Sequence, residues 1–213
     1  MMNKFQLTFA AILLNLFLGD SAWAQEEKQS KGEKVHVLNS TEQILESHDK
    51  DITVDVQNDG DNIIIDVSFA VPVAPQQAWA VLTDFENIPQ FNPGILSSRV
   101  TSRTGNHCHV SQKSITKYGF IVFSLESVRE VKLVPFEKIY ERTISGNMRK
   151  LEETTQLLPE RNQTRIIYHA VLIPGIWIPP TVGNVFIKQE AREQFQTLIN
   201  EIVRRKQLKT VSR

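Results

Sequence analysis

The sequence predicts an α+β domain: a curved antiparallel sheet covered by one long C-terminal helix, with two short helices after the first strands. Three observations predict it. From Ile95 to Ile173, apolar residues alternate with polar ones in runs separated by short turns, the pattern of an antiparallel meander. From Thr181 to about Lys206 the spacing changes. Ile187, Ala191, Phe195, Leu198, Ile199 and Ile202 then recur every third or fourth position, as on one face of a helix. Between these blocks and the first strands, the stretch Val71 to Gly94 carries a Pro-marked strand end and two short helical patterns.

The first arm of the sheet is Ile52 to Val56, followed by the turn Asn58-Asp59-Gly60-Asp61. Its partner is the strand carrying Ile63, Ile65, Val67, Phe69 and Val71 on one face and Asp66 and Ser68 on the other. Pro72 and Pro75 end that strand, and Pro75 suits the first turn of a helix. Ala78, Trp79 and Leu82 give this helix an apolar side, and Asp84 is placed to cap the next one, DFENIPQF. Strands are then expected over Ile95–Thr101, His107–Tyr118, Phe120–Leu133, Lys138–Ile144, Met148–Leu158 and Thr164–Ile173. Turns fall at Thr104-Gly105-Asn106, Val134-Pro135-Phe136-Glu137, Ser145-Gly146-Asn147 and Pro159-Glu160-Arg161-Asn162. Pro174-Gly175 to Pro179-Pro180 makes a rigid corner before the long helix, whose span of roughly 25 residues would reach about 37 Å. This helix is the element long enough to cover the apolar face of the sheet, and the layout leaves room for a cavity between the two.

Residues 1–24 have the form of a cleaved secretory signal. Lys4 is followed by the apolar run Phe5–Leu18 and the small-residue site Ala22-Trp23-Ala24. The run is too short to span a bilayer, where about 20 residues are needed. An exported protein, periplasmic or secreted, is expected, with transient membrane contact but no stable insertion after cleavage. Residues 25–50 read as a flexible polar extension, 51–206 as the folded domain and 207–213 as a basic tail.

Lys plus Arg and Asp plus Glu are equal at 24 each, so no global field steers the chain toward nucleic acid. The single cysteine, Cys108, cannot form an intrachain disulfide and fits a buried small apolar residue better than a nucleophile. No Ser-His-Asp arrangement, Gly-rich phosphate loop or Cys-x-x-Cys is found, so no cofactor and no catalytic residue is assigned. His107 and His109 share a strand face, but that face continues with Ser111, Lys113 and Lys117 and reads as solvated, so no metal is expected.

The stretch V-A-P-x-x-A-W-x-x-L-T-D-F-E-N-I-P-x-F-x-P, from Val73 to Pro93, resembles the START-like (SRPBCC) superfamily, in its polyketide cyclase / coenzyme Q-binding branch. The Ser145-Gly146-Asn147-Met148 turn and the Pro174-Gly175…Pro179-Pro180 corner are similar too. The resemblance covers about residues 51 to 206 and implies the helix-grip fold, in which a curved antiparallel sheet grips the C-terminal helix around an apolar cavity. It leaves function open among carriers, receptors and cyclases.

Strand parity then gives candidate cavity residues. These are Val110 and Gln112; Phe123 and Arg129; Leu151, Glu153 and Thr155; Tyr168 and Ala170; with Phe195 on the helix and Trp79, Phe85 and Phe91 in the short helices. Buried charge without a partner is costly, so Glu153, Arg129 and Gln112 are at the cavity mouth, paired, or reading a ligand's polar head. The expected function is binding of a small apolar ligand such as a lipid, quinone or polyketide-like compound. A cyclase or aromatase using Tyr168, Glu153 or Arg129, and a protein-interaction module, stay open as alternatives.

Overall fold

A computed structural model describes residues 52–118, 121–175 and 180–211. The signal segment and the polar extension lie outside the described residues, as does the corner at 176–179.

Eight strands form one antiparallel sheet: β1 (Thr53–Asp59), β2 (Asn62–Val71), β3 (Ile95–Thr104), β4 (His107–Tyr118), β5 (Ile121–Val134), β6 (Lys138–Gly146), β7 (Lys150–Glu160) and β8 (Gln163–Ile173). Their spatial order is β1-β2-β8-β7-β6-β5-β4-β3. Six of the seven connections join neighbouring strands through three residues or fewer. The chain leaves β2 through α1 (Pro75–Leu82), a 3₁₀ turn (Phe85–Asn87) and α2 (Ile88–Phe91), and resumes at β3 on the far edge. These short helices therefore bridge one end of the curved sheet. The last element is α3 (Pro180–Val211), which continues through most of the segment read as a tail. The whole layout is the helix-grip arrangement.

The strands form where the alternation is strongest. In β2, Ile63, Ile65, Val67, Phe69 and Val71 are all buried, while Asp66 between them is exposed. Thr164, fully buried at the start of β8, donates its hydroxyl to the Val73 carbonyl at 2.7 Å, so the bend after β2 leaves no orphaned acceptor there. Pro159 lies inside β7 rather than in a turn, paired in register with Thr164. This is tolerated because β6 pairs with β7 only as far as Gln156, so the missing N–H of Pro159 faces no strand. Register shifts between Ile95 and Ser97, between Val100 and Ser102, and between Val128 and Arg129 bend the sheet around α3.

Two apolar clusters divide the interior. The larger joins β1, β2, β8 and α1 to Ala191, Ile199, Ile202 and Val203 of α3, with Ile187, Phe195 and Leu198 packed against it. The smaller joins Phe85, Cys108, Val110, Val131 and Ile139 beneath Trp79, Leu82 and Ile88. Helix α3 packs against β1, β2, α1 and α2.

Asp84 does not cap the following turn with its carboxylate. Its Oδ2 accepts from Arg205 Nη1 at 2.7 Å and its Oδ1 from Asn87 Nδ2 at 2.7 Å. Arg205 also donates through Nε to Glu201 at 2.6 Å, and Arg204 holds the same carboxylate at 2.7 and 2.8 Å. The basic end of α3 thus has specific acidic partners, more than the diffuse attraction of a helix dipole would supply.

Candidate functional site

Gly146 ends β6 at φ 140, and a side chain there would meet the Glu126 carbonyl at 2.1 Å. The next residue, Asn147, extends the β5–β6 ladder with its side chain, donating to the Ser124 carbonyl at 2.8 Å and accepting from the Glu126 N–H at 3.0 Å. Gly175, after β8, lies so close to the Asn147 carbonyl that a Cβ would come within 1.9 Å. The two short motifs noticed in the sequence therefore meet at one place and hold β5, β6 and the end of β8 together.

This frame aims a set of polar side chains at the concave face. Cross-strand pairing places Arg129 opposite both Val110 and Thr143, and Glu141 opposite both Val131 and Glu153. Directly paired residues share a face, so Arg129, Glu141, Thr143 and Glu153 point to the same side as the buried Val110 and Val131. The register shift at Arg129 skips Ile144, which stands exposed. Arg129 Nη1 lies 3.0 Å from Glu141 Oε2 and 3.2 Å from Glu153 Oε2, and its Nη2 donates to Gln112 Oε1 at 2.9 Å. Tyr168 donates its phenol to Glu153 Oε1 at 2.5 Å. The Tyr168 ring meets Phe195 of α3 edge-on at 4.9 Å between centroids, which links the cluster to the helix.

The cluster spans β4 to β8 and is nearly closed to solvent: the Arg129 side chain is 11% exposed, Glu141 15% and Glu153 14%. Its electrostatics follow from burial. Burial pushes the Glu141 carboxyl up to about 6, with Glu153 adding to the push and Arg129 opposing it. Burial, the charge of Glu153 and the bond to it hold the Tyr168 phenol well above its ordinary value. Burial works against the Arg129 charge, but Glu141 and Glu153 outweigh it and hold the guanidinium ionised. The protein does not saturate this polarity. Arg129 Nε and Thr143 Oγ1 find no hydrogen-bond partner among the described residues, and Glu141 Oε2 has its ion pair but no aligned hydrogen bond.

The candidate residues read from sequence are brought together only in part. Gln112, Arg129, Glu153 and Tyr168 are brought into the cluster, and Thr155, 9% exposed, lies beside it, opposite Tyr168 and Ile139. Phe195 and Leu151 are on the concave side, part-buried. Val110, Ala170 and Phe85 are packed within the apolar clusters. Trp79 packs edge-on against Phe136 at 5.8 Å, and Phe91 lies under the Arg205 guanidinium at 5.8 Å. The side chain of Phe123 falls outside the described residues.

Sequence reasoning missed Glu141 and Thr143. In β6 both parities carry apolar residues: Ile139 on one, Tyr140 and Ile144 on the other. The usable signal was in the neighbouring strands, where only one parity places Glu141 opposite Glu153 and near Arg129. Cys108 is buried, and burial pushes its thiol up, so it behaves as a small apolar residue. His109 and His107 lie on the outer face, and no group of His, Cys, Asp or Glu among the described residues could hold a metal ion. His169 is also outward, half exposed, and paired with Asp66 at 2.7 Å. Among the described residues no helix is long and apolar enough to cross a membrane.

Comparison with known proteins agrees with this architecture. The STAR-related lipid transfer protein of Xanthomonas axonopodis superposes with a TM-score of 0.62 at 14% identity, covering 72% of this chain and 94% of that one. A START superfamily protein from Mycobacterium smegmatis gives 0.57 at 15% identity, covering 66% and 97%. The Zhui aromatase/cyclase from Streptomyces sp. R1128 gives 0.56 at 10% identity, covering 68% and 95%. At these identities the likeness is one of fold. No curated protein matches the sequence. The family model described as "Polyketide cyclase / dehydrase and lipid transport" matches residues 71–198. That match takes in more than half of the chain, from the end of β2 through the stripe of α3, and so the chain belongs to the polyketide cyclase/dehydrase and lipid transport family.

Proposed function

We propose that this is an exported, non-enzymatic protein that holds a small hydrophobic ligand, a lipid, quinone or polyketide-like molecule, between the sheet and α3. The observation that carries the reading is the Arg129 cluster. A buried, incompletely satisfied polar group set into an otherwise apolar concave face is what a site needs to orient an amphiphile. The apolar body would lie against α3 near Phe195, and the polar head would reach Glu141, Thr143 and Tyr168. Fold and family support a hydrophobic ligand, and the form of residues 1–24 supports export to the periplasm or beyond.

The test is solvent extraction of protein recovered from its native compartment, followed by mass spectrometry. A copurified apolar compound in near-stoichiometric amount is expected, on a protein beginning at Gln25. Thr155→Trp should stay folded by circular dichroism and bind a neutral fluorescent probe more weakly, since the indole would project beside Tyr168. Unchanged probe binding by this folded variant would remove Thr155 from the site.

A second reading, an acid–base enzyme of the cyclase type, is favoured by one observation. Glu141, held near 6, is poised to exchange a proton in a dry site. Turnover of a β-diketone probe that disappears in Glu141→Gln would favour it over simple binding.

A further inference from the structure

We propose that Glu141 sets the head-group charge of the site, which admits uncharged or cationic amphiphiles that donate a hydrogen bond and rejects carboxylates and phosphates. The inference rests on the ligand-binding reading above and deepens it.

A lone buried arginine would be an anion receptor, because its fork matches carboxylate and phosphate oxygens. Arg129 is not alone. Its Nη1 is shared by Glu141 at 3.0 Å and Glu153 at 3.2 Å, and its Nη2 is bound to Gln112. One guanidinium stands against two carboxylates. The cluster is therefore net negative when both are ionised and neutral when Glu141 takes a proton, and in neither state is it positive. The charges that act on Arg129, Glu141 and Tyr168 come from these groups and Glu153, with no outside cation among them. An anionic head would meet like charge in a poorly solvated site, where repulsion is weakly screened.

The acceptors set the other half of the preference. Glu153 is occupied at both oxygens, by Tyr168 and by Arg129. Glu141 Oε2 has the ion pair alone, with no aligned donor. A hydroxyl on a ligand can supply that donor and also accept from Arg129 Nε, which lacks a partner too, whereas a carboxylate offers acceptors alone and brings a like charge. Replacing Glu141 by glutamine would leave one carboxylate against one guanidinium and put an amide N–H beside the head, which removes the excess negative charge.

The experiment uses displacement of N-phenyl-1-naphthylamine, a neutral probe, from the mature protein at pH 7.5 by dodecanol, dodecylamine and dodecanoate. These competitors share a chain and differ in head charge. Wild type should be displaced by dodecanol and dodecylamine at concentrations about tenfold or more below that needed for dodecanoate, a gap of about 1.4 kcal/mol or more. In Glu141→Gln the gap between dodecanol and dodecanoate should narrow several-fold, with circular dichroism confirming the fold. Equal displacement of wild type by dodecanoate and dodecanol overturns the charge selectivity while leaving the binding reading in place. A gap that persists unchanged in folded Glu141→Gln overturns the role of Glu141. Should that variant not fold, the wild-type series alone decides the selectivity. A wild type that neither takes up the probe nor responds to any competitor overturns both this inference and the binding reading.

Discussion

The two halves of the concave face are built from the same antiparallel geometry and carry opposite chemistry. On β2, every inward position from Ile63 to Val71 is apolar and buried. On β6, the inward positions run from Ile139 to Glu141 and Thr143. The β2 side is covered by α3, whose apolar stripe closes against β1, β2 and α1. The β6 side holds charges that must satisfy one another, because burying a carboxylate or guanidinium alone costs several kcal/mol. The two halves divide the labour. The β2 half supplies stability through area removed from water, and the β6 half gives up part of that stability to hold a buried polar cluster.

A charge placed on the apolar side should have the largest effect. Phe195 packs tilted against Phe69, with ring centroids 5.4 Å apart, and edge-on against Tyr168 at 4.9 Å. Phe195→Asp should abolish cooperative folding, since an unpaired charge there is set against a total stability of about 5–15 kcal/mol. Thermal unfolding followed by circular dichroism checks this, and a transition within a few degrees of wild type would show that α3 does not depend on this contact. The next largest effect is expected from Arg129→Met. Deleting the only cation of the cluster leaves Glu141 and Glu153 facing each other, and a loss of about 3–5 kcal/mol is expected at pH 7.5. The same variant should recover much of the loss at pH 5, where Glu141 can be neutral. A small loss that does not depend on pH would show that the carboxylates are solvated.

The two halves also differed in how far they were legible in the sequence. The β2 side could be read directly, because one parity is wholly apolar and a one-residue slip would expose all of it. The stripe of α3 was legible for the same reason. Arg129 and Glu153 were recognisable as inward by parity, but their pairing was not, since their partners come from other strands. Glu141 was hidden by Tyr140 and Ile144, apolar residues that the structure leaves 41% and 47% exposed. Asp84 looked like a helix cap on local grounds, and a guanidinium 121 residues later in the chain takes its Oδ2 instead. Local rules served where burial is one-sided, and failed where a distant charge competes for the same atom.

Titration offers a gentler probe of the polar half. Glu141 is held at about 6 in the fold against an ordinary 4.5, so the folded state binds its proton more tightly than the unfolded one. Stability from this group is fully present below about 4.5 and is lost as pH rises through about 6, by roughly 2 kcal/mol in all. Glu201 acts in the opposite sense: the Arg204 hydrogen bond holds its carboxyl low, so its contribution is present above the ordinary carboxylate value and lost on acidification. Denaturant unfolding of wild type and Glu141→Gln across pH 4.5 to 7 should show the falling slope in wild type and its absence in the variant. Parallel pH profiles would place the titrating group elsewhere.

The smallest expected effect lies where the apolar half is fastened to the short helices. Asp84 and Arg205 are each about a quarter exposed, and their bond is 2.7 Å. Arg205 has a second carboxylate, Glu201, and rests over Phe91, so removing the charge at position 84 does not strand it. Asp84→Asn keeps the shape and the chance of a neutral hydrogen bond. A loss of about 1 kcal/mol or less is expected, the range of a partly exposed ion pair, and it should shrink further in high salt. The informative readout is local rather than global. Amide exchange should quicken in residues 84–91, because Asp84 anchors both the Asn87 side chain and the bridge from α3, while β2 and the middle of α3 keep their protection. Equal quickening in β2 would mean that the short helices and the apolar core open as one unit. The exit from β2 would then belong to the core, and closure of that end of the sheet could not vary independently of the fold.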